Sequence, residues 1–184
     1  MNLGALIAAS LLVASVASTG HPTSRGDLVG AWRLVGISVV GPKGTEPDPF
    51  FGAGTEGLLV YDPSGWFSVQ IMGRTRPELE TPNSRPQHTD QTHEALKAAA
   101  LDSYYAYYGT WTFDTSTATV THTARGALYP SERDAIYKQH VQVKGSTMTF
   151  TRTQGKPAQP TLQTKVWNRV DHFGQTLTPH RSPR

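Results

Sequence analysis

The sequence predicts an all-β fold: an eight-stranded antiparallel up-and-down barrel with one short helix. Three observations point there. Gly30-x-Trp32 near the start of the folded region is answered by Trp167-Asn168-Arg169 at its end, bracketing a run of alternating β-type segments. Those segments are joined mostly by short hairpin signals, which suits neighbouring antiparallel strands better than crossovers. The chain also carries seven Tyr, six Phe and four Trp alongside abundant Thr and Val, a composition that favours strands.

Before the first strand, Leu3 to Val16 is an uncharged Ala/Leu/Val-rich run followed by Ala17, Ser18, Thr19 and Gly20. Residues 1–20 therefore read as a secretory signal peptide with cleavage near Ser18, and the run is short for a bilayer span. The expected location is exported, either periplasmic or secreted. Met1-Asn2 bring no Lys or Arg, which leaves a membrane tether by an uncleaved leader open. The sequence contains no Cys, so neither a lipid-modified cysteine nor a disulfide is available, and the domain must hold together by burying apolar surface.

Leu28 to Val40 is β-branched and apolar on both parities, as in a strand buried on much of both faces. Gly41-Pro42-Lys43-Gly44 breaks it, and Glu46-Pro47-Asp48-Pro49 opens an irregular stretch. Gly57 to Tyr61 and Trp66 to Met72 flank Asp62-Pro63-Ser64-Gly65, whose Pro and Gly suit a type I turn. Gly73 to Gln91 is Pro-rich and aperiodic and reads as a long loop of the kind that shapes sites. Glu94 to Leu101 is the one convincing helix, with Asp90 or Thr92 as N-cap and the barrel mouth or side as its docking place. Tyr107 to Phe113, Thr117 to Ala124, Ala135 to Val143, Thr147 to Thr153 and Thr161 to Val170 complete eight strands, so the barrel spans residues 27–170. Asp171 to Arg184 reads as a flexible polar tail.

These residues resemble a bacterial lipocalin-like domain of the calycin type. The resemblance lies in Leu28-x-Gly30-x-Trp32-x-Leu34, Gly57-x-Leu59-x-Tyr61-Asp62-x-x-Gly65, Tyr107-Tyr108-Gly109-Thr110-Trp111, Val120-x-His122, Pro130 and Val166-Trp167-x-Arg169, in that order. It implies that Trp32 lies at the closed end of the barrel with the Arg169 guanidinium across its ring, both in structural roles. It brings no catalytic residue with it.

Strand alternation sorts side chains into faces. Phe67, Val69 and Ile71 are expected inside, as are Val120, His122 and Ala124, Tyr137, Gln139, Val141 and Val143, and Met148, Phe150 and Arg152. Lys138, His140 and Gln142 fall outside. The candidate ligand-binding set is Phe67, Val69, Ile71, Val120, His122, Tyr137, Gln139, Met148, Phe150 and Arg152, an apolar lumen with a few polar groups. A histidine on such a face is more often a core residue bonded to a neighbouring Tyr or Gln. Arg152 is more telling, because a buried guanidinium needs a carboxylate, carbonyls or a ligand acid unless strand parity releases it to solvent.

Two function classes follow, with a third beside them. The first is a binder of a small, mostly hydrophobic molecule, with an acid group meeting Arg152. The second is an isomerase, cyclase or hydrolase using His122 and Tyr137 as acid and base and Arg152 to polarise an oxygen. The third is a filled barrel acting through its surface, with the Pro-rich loop as its edge. The sequence calls for no cofactor and no metal: His88 and His93, beside Asp90 and Glu94, meet no zinc spacing, and nothing selects haem ligation by His122 or His140. A formal net charge of +3 without a Lys/Arg run excludes a nucleic-acid surface, and no stable membrane insertion is expected after leader removal.

Overall fold

The computed structural model describes residues 22–78, 91–156 and 159–170. The predicted leader and tail, and the middle of the Pro-rich loop with His88 and Asp90, lie outside them. Among the described residues nine strands follow one another: β1 (Gly30–Gly41), β2 (Gly44–Pro47), β3 (Glu56–Tyr61), β4 (Trp66–Met72), β5 (Tyr104–Asp114), β6 (Thr119–Ala127), β7 (Ile136–Lys144), β8 (Thr147–Lys156) and β9 (Gln159–Arg169). Eight of them close a barrel in the order β1-β3-β4-β5-β6-β7-β8-β9, sealed by β1 against β9 from Trp32↔Arg169 to Val40↔Leu162. All pairings are antiparallel. The short β2 adds to the end of β1 and lies outside the eight.

Two local differences from the sequence reading have clear causes. Gly44–Pro47, expected to be irregular, folds back as β2 on backbone pairing alone, with every side chain exposed. Leu28 belongs to a short helix, α1 (Arg25–Leu28), which Ser24 and Asp27 start with a capping box, so the extended chain begins at Val29.

One end of the barrel is shut. The tight turns after β3, β5 and β7 gather there with α1, and Leu28 and Trp32 are fully buried. The Trp32 indole N–H donates to the Leu28 carbonyl at 2.8 Å, and the Arg169 guanidinium lies 4.2 Å from the Trp32 ring centroid. Arg25 covers Trp111 in the same way at 4.4 Å. Gly109 is required by close approach, because a Cβ there would collide with the Thr123 carbonyl oxygen at the β5–β6 bulge.

The longer connections gather at the opposite end, and so does the helix α2 (Gln91–Asp102) that leads into β5. Its C-terminal end is tied down by Gly73 N–H to Ser103 O at 2.9 Å and by Arg76 to Ala100 O at 3.2 Å. Among the described residues no helix is long and apolar enough to cross a membrane.

Candidate functional site

The barrel interior divides into a solid half and an open half. In the solid half, Trp32, Leu59, Tyr61, Phe67, Trp111, Val120, Val141, Met148 and Trp167 pack into one buried cluster. At its top sits His122. Its Nε2 meets the Tyr61 hydroxyl at 2.5 Å and its Nδ1 the Tyr107 hydroxyl at 3.0 Å, while Phe67 stacks on its ring at 4.0 Å. A neutral imidazole has one donor and one acceptor nitrogen, so one hydroxyl receives and the other gives. Burial, with a smaller push from Lys165, lowers the His122 pKa to about 3. Burial likewise raises Tyr61 and Tyr107, so all three groups stay neutral together.

Above this layer opens a cavity of about 410 Å³. Inward side chains build its wall: Ile71 from β4, Tyr105 and Tyr107 from β5, Tyr137 and Gln139 from β7, Arg152 and Gln154 from β8, and Gln163 and Lys165 from β9. The segment Asp48–Phe51 forms part of its rim, and Glu132 contributes from the turn before β7. Register sets the depths. Arg152 stands opposite Gln163, and one pleat deeper Lys165 stands opposite Phe150.

The charges are arranged unusually. Arg152 donates to two neutral amide oxygens, Gln154 at 3.0 Å and Gln163 at 3.4 Å, and its buried Nε–H has no partner among the described residues. The Lys165 ammonium donates to Gln139 Oε1 at 3.3 Å. Neither cation has a carboxylate within ion-pair distance among the described residues; the ion pairs found there are Glu94–Lys97 and Arg125–Asp134, away from the cavity. Burial first, and then the Arg152 charge, lowers the Lys165 pKa to about 8 against a smaller opposing pull from Asp48. Asp48 is itself engaged, taking the Phe50 and Phe51 N–H groups on Oδ1 and the Gln163 amide on Oδ2.

The sequence-derived set is spread over these layers. Ile71, Tyr137, Gln139 and Arg152 line the cavity. Val69, His122 and Phe150 border a residual space of about 20 Å³ beneath it, and Phe67, Val120 and Met148 belong to the solid half. Tyr137 meets the ring edge of Tyr107 at 5.3 Å, whereas both nitrogens of His122 are held by Tyr61 and Tyr107. His122 therefore has no nitrogen left for a substrate in this arrangement. His140 is exposed on the outer face of β7. No cluster of three or more metal-ligating side chains occurs among the described residues.

Lys165, Gln163, Gln154, Asp48, Glu132 and Tyr105 are among the wall residues that were not singled out from the sequence. For Lys165 and Gln163 the signal was present, because both share parity with Trp167 on β9. No curated protein matches the sequence. The family model described as a lipocalin-like domain matches residues 29–170, the segment that forms this barrel from the Arg169-covered floor to the open cavity, and the chain belongs to that lipocalin-like family.

Proposed function

We propose that the barrel binds a small molecule with an apolar, ring-bearing body and an acidic group, the acid lying on Arg152 and the body between the tyrosines and the Phe50–Phe51 rim. The observation that carries this reading is the state of Arg152, whose guanidinium faces a cavity and, among the described residues, reaches only neutral amides and keeps a buried N–H without an acceptor. A cation so placed has lost much of its hydration and gained little in return, and an incoming carboxylate or sulfonate restores the missing interaction. The cavity of about 410 Å³ exceeds the roughly 300 Å³ a drug-sized ligand needs, which supports a binder over a filled barrel. Export belongs to the same proposal and is supported by the leader-like run from Leu3 to Val16.

Titration with 8-anilinonaphthalene-1-sulfonate, an apolar aromatic acid, tests the site. Arg152→Met is expected to weaken binding by about ten- to a hundredfold, the range for losing a hydrogen bond to a charged group. Unchanged affinity in a folded Arg152→Met protein removes the proposal. N-terminal sequencing of the protein from its own host tests export.

A further inference from the structure

We propose that Lys165 is a covalent capture site, whose amine condenses with the carbonyl of an aldehyde- or keto-acid to form an imine deep in the cavity. This rests on the acid-binding reading, since Arg152 is what would present the carbonyl to the lysine.

The placement is the first support. Lys165 is the one lysine of the cavity wall among the described residues, inward on β9 between Gln163 and the buried Trp167. Arg152 is its diagonal neighbour across the β8–β9 pairing, a separation of about 7–8 Å between backbones in such a sheet. One small body carrying an acid and a carbonyl spans that distance.

The partner is the second support. A carboxylate beside the amine would hold its proton, whereas Lys165 meets the amide oxygen of Gln139 at 3.3 Å. An amide oxygen accepts from an ammonium and from a free amine alike, so it orients the nitrogen without fixing its charge. Burial and a neighbouring cation are the two devices that make a lysine nucleophilic, and both act here. With its pKa lowered to about 8, the amine is free base roughly a few hundredfold more often than an exposed lysine near neutral pH. Among the described residues the other ionisable groups facing the same space are Arg152 of β8, Asp48, Tyr129 and Glu132 of the rim, Tyr105 and Tyr107 of β5 and Tyr137 of β7.

The chemistry needs no oxidant or reductant. Once the ammonium has released a proton to water, the nitrogen lone pair forms a C–N bond to the carbonyl carbon while the C=O π pair moves onto oxygen. A proton passes from nitrogen to that oxygen, giving a carbinolamine. The C–O bond then breaks as the nitrogen lone pair forms C=N, and the departing oxygen leaves as water with the second nitrogen proton. Carbonyl and amine thus become imine and water, and hydrolysis runs the same steps backwards to release the molecule.

The test treats the full chain with 4-formylbenzoate and sodium cyanoborohydride and maps the reduced adduct by peptide mass spectrometry. Lys165 is expected to be modified at least about tenfold faster than any other lysine, with a rate that rises with pH and levels off above about pH 8, the lowered pKa of its amine. Modification of Lys165 no faster than that of the exposed lysines overturns the proposal, whatever Lys165→Met does to folding. Benzoate, which has the acid and lacks the carbonyl, separates the two readings. It is expected to slow labelling of Lys165 and to bind Lys165→Met. Fast labelling of Lys165 that benzoate neither slows nor competes with keeps the capture site and removes Arg152 as its anchor.

Discussion

Gln163 donates its amide N–H to Asp48 Oδ2 at 2.7 Å, and this one bond fixes which way the Gln163 amide points. A carboxylate only accepts, so the nitrogen must face Asp48 and the oxygen must face Arg152. Because Asp48 Oδ1 also holds the Phe50 and Phe51 N–H groups, the rim of the cavity and the direction of its guanidinium are set by a single buried side chain.

Asp48→Asn tests this chain of bonds. With its oxygen kept on Phe50 and Phe51, the substituted amide turns an NH₂ toward the Gln163 NH₂, and flipping Gln163 only passes the conflict to Arg152. The variant is expected to lose about 1–3 kcal/mol in urea unfolding, the cost of stranding buried donors. Asp48→Asn combined with Gln163→Glu is expected to recover most of that, since a carboxylate at position 163 accepts from both neighbours. The same double variant is expected to lose binding of 8-anilinonaphthalene-1-sulfonate, because Arg152 then already holds a carboxylate. Additive stability losses in the double-mutant cycle count against the linkage.

The floor makes a separate prediction. Besides covering Trp32, Arg169 donates to the Val29 carbonyl at 2.8 Å and to that of Asp27, so it ties α1 across the closed end. Arg169→Met is expected to cost about 2–3 kcal/mol through the lost stacking and carbonyl bonds. Arg169→Lys is expected to restore little, because a point charge lacks the planar fork. Gly30→Ala is expected to act at the same place: Gly30 has φ +127°, and an added Cβ would sit 3.0 Å from the Arg169 Nη1. Backbone strain of about 1–3 kcal/mol is the expected cost, read from chemical denaturation.

How much of this was legible depended on what each residue's position obeys. The strands and most tight turns could be read because alternation and turn chemistry act locally: Asp62-Pro63-Ser64-Gly65 closes β3–β4 with Gly65 N–H on the Asp62 carbonyl, from residues that favour that bend by themselves. The β2 strand could not, because Gly44–Pro47 buries nothing and pairs only through its backbone. In the site, Tyr137, Gln139 and Arg152 could be placed on the wall by counting from apolar neighbours, and the same counting from Trp167 would have reached Lys165 and Gln163. Asp48 enters from an irregular segment and Glu132 from a single 3-10 turn, where no strand period applies, so only the three-dimensional path of the rim places them. The division into a solid and an open half was equally out of reach, since it depends on how the rings of Tyr61, Phe67 and Trp111, from the neighbouring strands β3, β4 and β5, pack together inside the barrel.

Lys165 gives stability an unusual alkaline dependence. Its folded pKa of about 8 lies below its ordinary value of 10.5, so between those values the unfolded chain holds a proton that the folded one lacks. Stability therefore rises with pH across that window, at up to about 1.4 kcal/mol per unit. Tyr61, Tyr105 and Tyr107 oppose this above pH 10, because burial raises them and the unfolded chain loses their protons first. A stability maximum near pH 10 is expected in urea titrations, and Lys165→Met is expected to flatten the rise below it while raising stability at pH 7. A rise that persists in Lys165→Met assigns it to another group.

His122 sets the acid limb. Its folded pKa of about 3 lies below the ordinary 6.5, so the stability tied to its neutral form is fully present above pH 6.5 and falls as pH drops toward 3, again at up to about 1.4 kcal/mol per unit. His122→Gln, which can still both donate and accept between Tyr61 and Tyr107, is expected to remove that slope while leaving affinity for 8-anilinonaphthalene-1-sulfonate within about twofold, since neither nitrogen of His122 faces the cavity. His122→Ala strands both hydroxyls and opens a void, and is expected to cost about 3–5 kcal/mol. The decisive measurement is the imidazole ¹⁵N signal of His122 at pH 5, where a neutral ring is expected. A ring that titrates near its ordinary value means that solvent reaches His122, which joins the solid half to the cavity and reopens an acid–base role for it beside Tyr137.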